Sequence, residues 1–264
     1  MNFEDYQCIR FSRQGRVLTL SLNRPAQRNA VNERLHHELS QVFTDAQRDP
    51  DSDILVLTGE GAAFCAGGDI DWMQRAVDDP TEFEKTAREA KDIVFSQLDL
   101  EKPLLCKLNG HATGLGASLA LLCDIIVAAD TARIGDPHVS VGLVAGDGGA
   151  ILWPQLVGYA KARKFLFTGE LMSATEAERI GLITEVVTAQ ALDDTVAQLA
   201  GRLAQGATKA IRWTKITTNL PLKQLFHSYF DAGVAYECLS NRTADHAEAV
   251  QAFSEKRKPV FTGQ

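Results

Sequence analysis

Two apolar runs in this 264-residue chain end in glycine-bearing turns, and they constrain the fold more than any other feature. Ile54-Leu55-Val56-Leu57 leads into Ala63-Phe64-Cys65-Ala66-Gly67-Gly68-Asp69-Ile70. Some fifty residues later Leu104-Leu105-Cys106-Lys107-Leu108 leads into Asn109-Gly110-His111-Ala112-Thr113-Gly114-Leu115-Gly116-Ala117-Ser118. A short apolar run bounded by turn residues reads as a buried strand. Glycine after it lets the backbone come close to a neighbour with no Cβ in the way.

The rest of the chain alternates in the same manner. Val17 to Leu22 has period two, as in a half-buried strand, whereas Val31, Leu35, Leu39 and Val42 recur at three to four residues and predict an amphipathic helix starting near Asn29. Repeated strand and helix units predict an α/β fold of stacked parallel sheets with outer helices. From about Ala189 helix formers dominate. Asp231 to Ser240 and Ala244 to Glu255 are helical candidates, and Asn219-Leu220-Pro221 marks a bend between two helices. The chain thus divides into a core, residues 1–190, and a helical C-terminal region, residues 191–264.

Composition narrows the partners. With 45% hydrophobic and 23% charged residues the chain buries a sizeable core, and 34 acidic against 27 basic residues argue against nucleic acid or an anionic membrane as partner. Cys8, Cys65, Cys106, Cys123 and Cys238 show no CxxC spacing and read as reduced thiols of a cytoplasmic protein. The opening Met1-Asn2-Phe3-Glu4-Asp5 has neither a basic head nor an apolar stretch, so no leader is expected. No metal site is expected either, since His36-His37 lacks an HExxH frame and no Cys/His spacing fits zinc.

Two familiar motifs come close and fail. Gly114-Leu115-Gly116 lacks the third glycine of a dinucleotide turn, with Leu119 in its place. Gly116-Ala117-Ser118-Leu119-Ala120 is one residue short of a nucleophile elbow, and the later histidines, His227 and His246, sit in no glycine-bounded strand-end loop.

Taken together, the two glycine segments resemble the oxyanion-hole segments of the crotonase (enoyl-CoA hydratase/isomerase) superfamily. Asn23-Arg24-Pro25 with Asn29-Ala30-Val31-Asn32, Cys123 to Asp130, Gly142 to Gly158, Ala177 to Ile183 and Glu255 to Phe261 follow in the family's order, so the resemblance spans about residues 5 to 262. It implies a spiral of ββα units with a helical C-terminal part that covers the active site. It also implies assembly as a homotrimer or dimer of trimers. The substrate is then an acyl-CoA thioester, with CoA substrate-borne and no separate cofactor. The NH groups of Gly68 and Leu115 would hold the thioester oxygen as it becomes an enolate. Arg24, Ala26, Ala66, Gly67, Asp69, Ile70 and Lys256 would line the CoA site, and Trp72 would border the acyl pocket.

The resemblance breaks where acids and bases belong. The family's hydratases activate water with two glutamates, and the register sets Ser118 at the first position and His138 at the second. Hydration by two carboxylates is therefore not expected. Ser118, His138 and Asp147 remain as candidates to move protons, Asp147 standing one residue beyond the position of the isomerases' aspartate. Ser118 and Asp147 also read as helix caps. Isomerisation, decarboxylation, hydrolysis and atypical hydration all share the enolate; the alternative is a protein that binds acyl-CoA with reduced catalysis.

Overall fold

The structure, a computed structural model, describes residues 3–264; Met1 and Asn2, the start of the segment read as lacking a leader, lie outside the described residues. The first half runs β1 (Ile9–Gln14), β2 (Val17–Leu22), α1 (Glu33–Arg48), β3 (Ile54–Gly59), β4 (Ala63–Cys65), α2 (Ile70–Asp78), α3 (Pro80–Leu98), β5 (Leu104–Leu108), β6 (His111–Thr113) and α4 (Leu115–Leu121). The chain continues as β7 (Ile125–Ala129), β8 (Arg133–Gly135), α5 (Gly149–Thr168), β9 (Met172–Ser173), α6 (Ala174–Arg179) and β10 (Glu185–Val187). Three helices close it: α7 (Leu192–Ala204), α8 (Thr208–Ser240) and α9 (Ala244–Ser254).

The strands form two sheets. The larger has the order β1-β2-β3-β5-β7-β10 and is parallel except for the β1–β2 hairpin. The smaller has the order β4-β6-β8-β9, antiparallel only between β8 and β9. Three successive turns, β3-β4, β5-β6 and β7-β8, each contribute one strand to the large sheet and one to the small sheet before a helix. A strand covered on both faces carries a continuous apolar run rather than an alternating one, and every residue of β3 is buried.

The first helix begins later than its periodicity suggests, at Glu33 with Asn32 as cap; the Asn32 side chain accepts from the Leu35 amide at 3.0 Å. Asn29 is kept out of it. At φ +56° it turns inward, fully buried, accepting from the Arg24 amide at 2.8 Å and donating to the Glu60 and Ala63 carbonyls at 2.9 Å each. Its amide thus ties the turn after β2 to the strand that carries the first glycine loop. The bend expected at Pro221 is also corrected: α8 runs unbroken from Thr208 to Ser240 with Pro221 inside. Proline removes the donor to the carbonyl four residues back, but Thr217 and Pro221 are both exposed, so water satisfies that carbonyl.

Packing at Gly116, in α4, gives a test. A Cβ there would lie 2.6 Å from the Cβ of Cys65, so Gly116→Ala should destabilise by about 1–3 kcal/mol, the usual range for overpacking. Gly201, inside α7, has open space around it, and Gly201→Ala should stabilise by about 0.5–1 kcal/mol. Urea unfolding of the two variants checks the pair.

Candidate active site

The two glycine segments meet backbone to backbone. β4 and β6 pair in parallel, with Ala63 opposite His111 and Cys65 opposite Ala112, so the turns that follow leave the sheet side by side. Gly67 takes φ +82° and Gly114 φ +53°, and a Cβ on Gly67 would stand 3.0 Å from the Thr113 carbonyl oxygen. Only glycine meets both demands. The amides just beyond, those of Gly68 and Leu115, have no acceptor among the described residues, and both residues line one cavity of about 100 Å³. An engineered cavity of roughly 150 Å³ holds benzene, so this space suits a ring-sized or short acyl fragment.

The cavity's apolar wall comes from Trp72, Met73, Phe83, Ala90, Leu143 and Val234, and its polar wall from His138, Asp147 and Glu237. His138 opens the short 3-10 turn after β8, where Asp136 bonds Nδ1. Its Nε2 faces Asp147 Oδ2 at 3.5 Å and Glu237 Oε1 at 3.9 Å. Burial by itself disfavours the imidazolium. The charges of Asp136 and Asp147, the hydrogen bond to Asp136 and the more distant Glu237 outweigh that effect, and the His138 pKa stands well above its ordinary value. Asp147 is raised by burial, against the pull of His138, with Asp136 adding to the rise. Burial pushes Glu237 up to about 8, with His138 opposing and Asp147 and Asp136 reinforcing. At neutral pH the cluster therefore holds a protonated imidazole beside Glu237 as an uncharged carboxylic acid.

The sequence and the fold match known proteins. A profile of the enoyl-CoA hydratase/isomerase family matches residues 12–264. The chain belongs to that family. It is 36% identical over 252 residues to the 1,2-epoxyphenylacetyl-CoA isomerase of Escherichia coli K12, covering 94% of this chain and 95% of the relative. An enoyl-CoA hydratase/isomerase from Mycobacterium paratuberculosis superposes with a TM-score of 0.90 at 32% identity, covering 94% of this chain and 99% of that one. A β-diketone hydrolase from the cyanobacterium Anabaena sp. PCC 7120, bound to (S)-3-oxocyclohexyl acetic acid, superposes with a TM-score of 0.84 at 31% identity, covering 91% and 96%.

Within this enoyl-CoA hydratase/isomerase frame the residues singled out from sequence separate into groups. Gly68, Leu115, His138 and Asp147 line one cavity, as does Trp72. Ser118 does not reach it. It is the fourth residue of α4, buried behind the cavity, and caps nothing there; its hydroxyl donates to Asp147 Oδ1 at 3.1 Å. Asp147 stands one residue before the cap position of α5, which Gly148 occupies, and the backbone of Gly149 at the helix start bonds its carboxyl group. Of the residues assigned to CoA, Arg24, Ala66, Gly67 and Asp69 brace the loops around the site. Arg24 pairs with Asp69 at 2.9 Å, Asp69 caps α2 ahead of Ile70, the Ala66 amide donates to the Arg28 carbonyl, and Gly67 accepts from Val31. Ala26 lies in the short 3-10 turn after β2, and Lys256 is exposed beyond α9 at φ +56°.

Two members of the polar cluster escaped the sequence reading. Asp136 has the signal Asp136-Pro137-His138, an acid two residues before a histidine, whereas Glu237 lies on α8 between exposed Tyr236 and half-buried Cys238 with no motif to mark it. Asp136, His138 and Asp147 also bring ligand-type atoms within 4.8 Å of one another, a grouping that a search for zinc spacing cannot find. Both imidazole nitrogens there face carboxylates, so a proton on the ring supplies the neutralising charge.

Ionising Glu237 adds negative charge to the cavity that the Gly68 and Leu115 amides also line. Activity should therefore fall as pH rises through about 8, the value to which Glu237 is pushed. Glu237→Gln keeps an uncharged side chain of the same shape and should extend the plateau to higher pH. A kcat/KM profile of both proteins from pH 6 to 10 reads this directly.

Proposed function

We propose that this protein cleaves a carbon–carbon bond of a 1,3-dicarbonyl compound by adding water and expelling an enolate. The observation that carries the reading is the His138–Asp147–Glu237 cluster set beside the unoccupied amides of Gly68 and Leu115. Water adds to one carbonyl while Asp147 takes its proton; a carboxylate lifted by burial is a better base than an exposed one. The bond between that carbonyl carbon and the central carbon then breaks. The electron pair moves into the second carbonyl, whose oxygen is held as the enolate by the two amides. The His138 imidazolium returns a proton to the central carbon and is recharged from Asp147. One water is consumed, and a carboxylic acid and a ketone or thioester leave. Ser118 holds Asp147 in place, and Asp136 fixes the imidazole from behind.

Family membership supports enolate chemistry on an acyl-CoA, for which the dicarbonyl is a 3-oxoacyl thioester, and the Anabaena relative supports a free diketone. Both present the same 1,3-dicarbonyl to the same groups. A second reading, isomerisation of a CoA thioester, is favoured by the 36% identity to an epoxyphenylacetyl-CoA isomerase and by Asp147, which can take and return one proton without water.

Assays of a 2,2-disubstituted cyclic 1,3-diketone, a 3-oxoacyl-CoA and crotonyl-CoA separate these. A dicarbonyl should be cleaved, and crotonyl-CoA hydration should run at least about a thousandfold below a two-glutamate hydratase, given the 10²–10⁴ typical of general acid-base catalysis. Fast crotonyl-CoA hydration would overturn the assignment, and ligand binding with no turnover in any arm would make the chain a binding protein. Gly68→Pro should cost about 10²–10³ in rate, whereas Leu115→Ala, which keeps its NH, should cost far less.

We further propose a trimer, or dimer of trimers, working in the cytoplasm. Trp213, Tyr229, Tyr236 and Leu239 stand exposed on α8, an apolar surface of the kind that subunit contacts cover. Sedimentation at micromolar concentration should give three or six copies; a monomer would contradict it. No helix among the described residues is long and apolar enough to cross a membrane.

A further inference from the structure

Hydrolysis of a 1,3-dicarbonyl creates two oxyanions in turn. The first forms on the carbonyl that water attacks and ends as a carboxylate; the second is the enolate. The amides of Gly68 and Leu115 serve the enolate and His138 protonates its carbon, so the first oxyanion calls for a further donor beside the neutral Glu237, in a cavity lined also by Glu82 and Asp147. The lining contains no Lys or Arg, so histidine supplies its basic side chains. His138 is held between carboxylates. His246 bonds Val141 O through Nδ1 at 2.6 Å, its Nε2 is sealed, and burial lowers its pKa, so it stays uncharged.

His36 is different. It is 4% exposed and lines the cavity, its Nδ1 lies 2.7 Å from Glu89 Oε2, and its Nε2 has no partner among the described residues yet is not sealed like that of His246. The hydrogen bond to His36 is the main cause holding Glu89 below the ordinary carboxylate range, so Glu89 accepts and Nδ1 carries the proton. Position also fits. Val31 is bridged to Gly68, and His36 and Trp72 stand about one helical turn beyond that bridge, on α1 and α2, with ring centroids 5.2 Å apart.

We propose that His36, braced by Glu89, is the specificity-determining partner for the substrate's second oxygen: a proton taken up on Nε2 as the ligand binds lets the ring donate to the attacked carbonyl oxygen and to the carboxylate it becomes. This rests on the dicarbonyl reading above. The ligand class follows: a ketone oxygen for the two amides and a carboxylate or second carbonyl for His36.

The test is calorimetric titration of the full-length protein with (S)-3-oxocyclohexyl acetic acid, which has both groups, and with cyclohexanone, which has one. His36→Leu should weaken the keto acid about ten- to hundredfold, the range for a hydrogen bond to a charged group, and leave cyclohexanone unchanged. His36→Gln, with an amide NH near the Nε2 position, should restore most of the difference. Glu89 keeps His37 as a partner in these variants, at 2.7 Å; should His36→Leu fail to fold, His36→Gln and Glu89→Gln carry the comparison. Cleavage of a dicarbonyl with equal keto-acid affinity in the wild type and His36→Leu would overturn the role of His36 and leave the hydrolase reading intact. Binding of the keto acid that depends on His36, with no cleavage of any dicarbonyl, would overturn the hydrolase reading and support the anion site. Absence of both binding and cleavage would remove both.

Discussion

The close approach of Gly67 to Thr113 and Gly114 is the contact on which the site depends. A side chain at Gly67 would press on the Thr113 carbonyl across two strand ends that parallel pairing has already brought together, and the φ angles of both glycines would be strained for any other residue. Two buried amides reinforce the contact. Asn29 ties the first loop to the turn after β2, and Asn109 accepts from the Gly59 amide at 3.1 Å while donating to the Gly61 carbonyl at 3.0 Å. Because these bonds are local and rigid, the amides of Gly68 and Leu115 point into the cavity before any substrate arrives. That preorganisation is what makes such donors effective.

The second constraint is electrostatic. Three carboxyl groups and one imidazole are buried within a few ångströms, and all three acids cannot ionise at neutral pH in so little solvent. The fold resolves this by raising both His138 and Glu237, so that the imidazole is charged and Glu237 is neutral at neutral pH. The result is a site that contains an acid and a base together, whereas the two-glutamate arrangement of the family's hydratases carries no permanent positive charge. The same chemistry explains why Asp136 accepts no side chain nearby: a Cβ on Gly149 would collide with its Oδ2.

The C-terminal helices do more than cover the cavity. Gly146 and Gly233 touch, a Cβ on the latter standing 3.2 Å from the Gly146 carbonyl oxygen, and this close passage carries Glu237 one helical turn further on into contact with the cluster. A boundary drawn at residue 190 therefore runs through the site's chemistry even though it falls between β10 and α7 in the chain. The apolar wall is equally composite, with Trp72 from α2, Phe83 and Ala90 from α3, and Val234 from α8.

Period and glycine placement fix much of this in the sequence. The apolar runs of β3 and β5 can be buried only as interior strands, and the turns after them need glycine, so the family, the spiral and the amides of Gly68 and Leu115 are legible without coordinates. His138, Asp147 and Trp72 are legible as candidates because their motifs follow in a known order. Residues whose roles depend on distance are not. Ser118 looks like a catalytic hydroxyl or a cap until the structure places it behind Asp147, and Asn29 looks like a helix start until its side chain is seen bonded across the loops. Glu237 and His36 lie on ordinary amphipathic helices, where one polar residue differs from the next only by what it faces. Helical period tells which face is buried. Only the tertiary packing of α1 and α8 decides that these two buried polar groups line the same cavity.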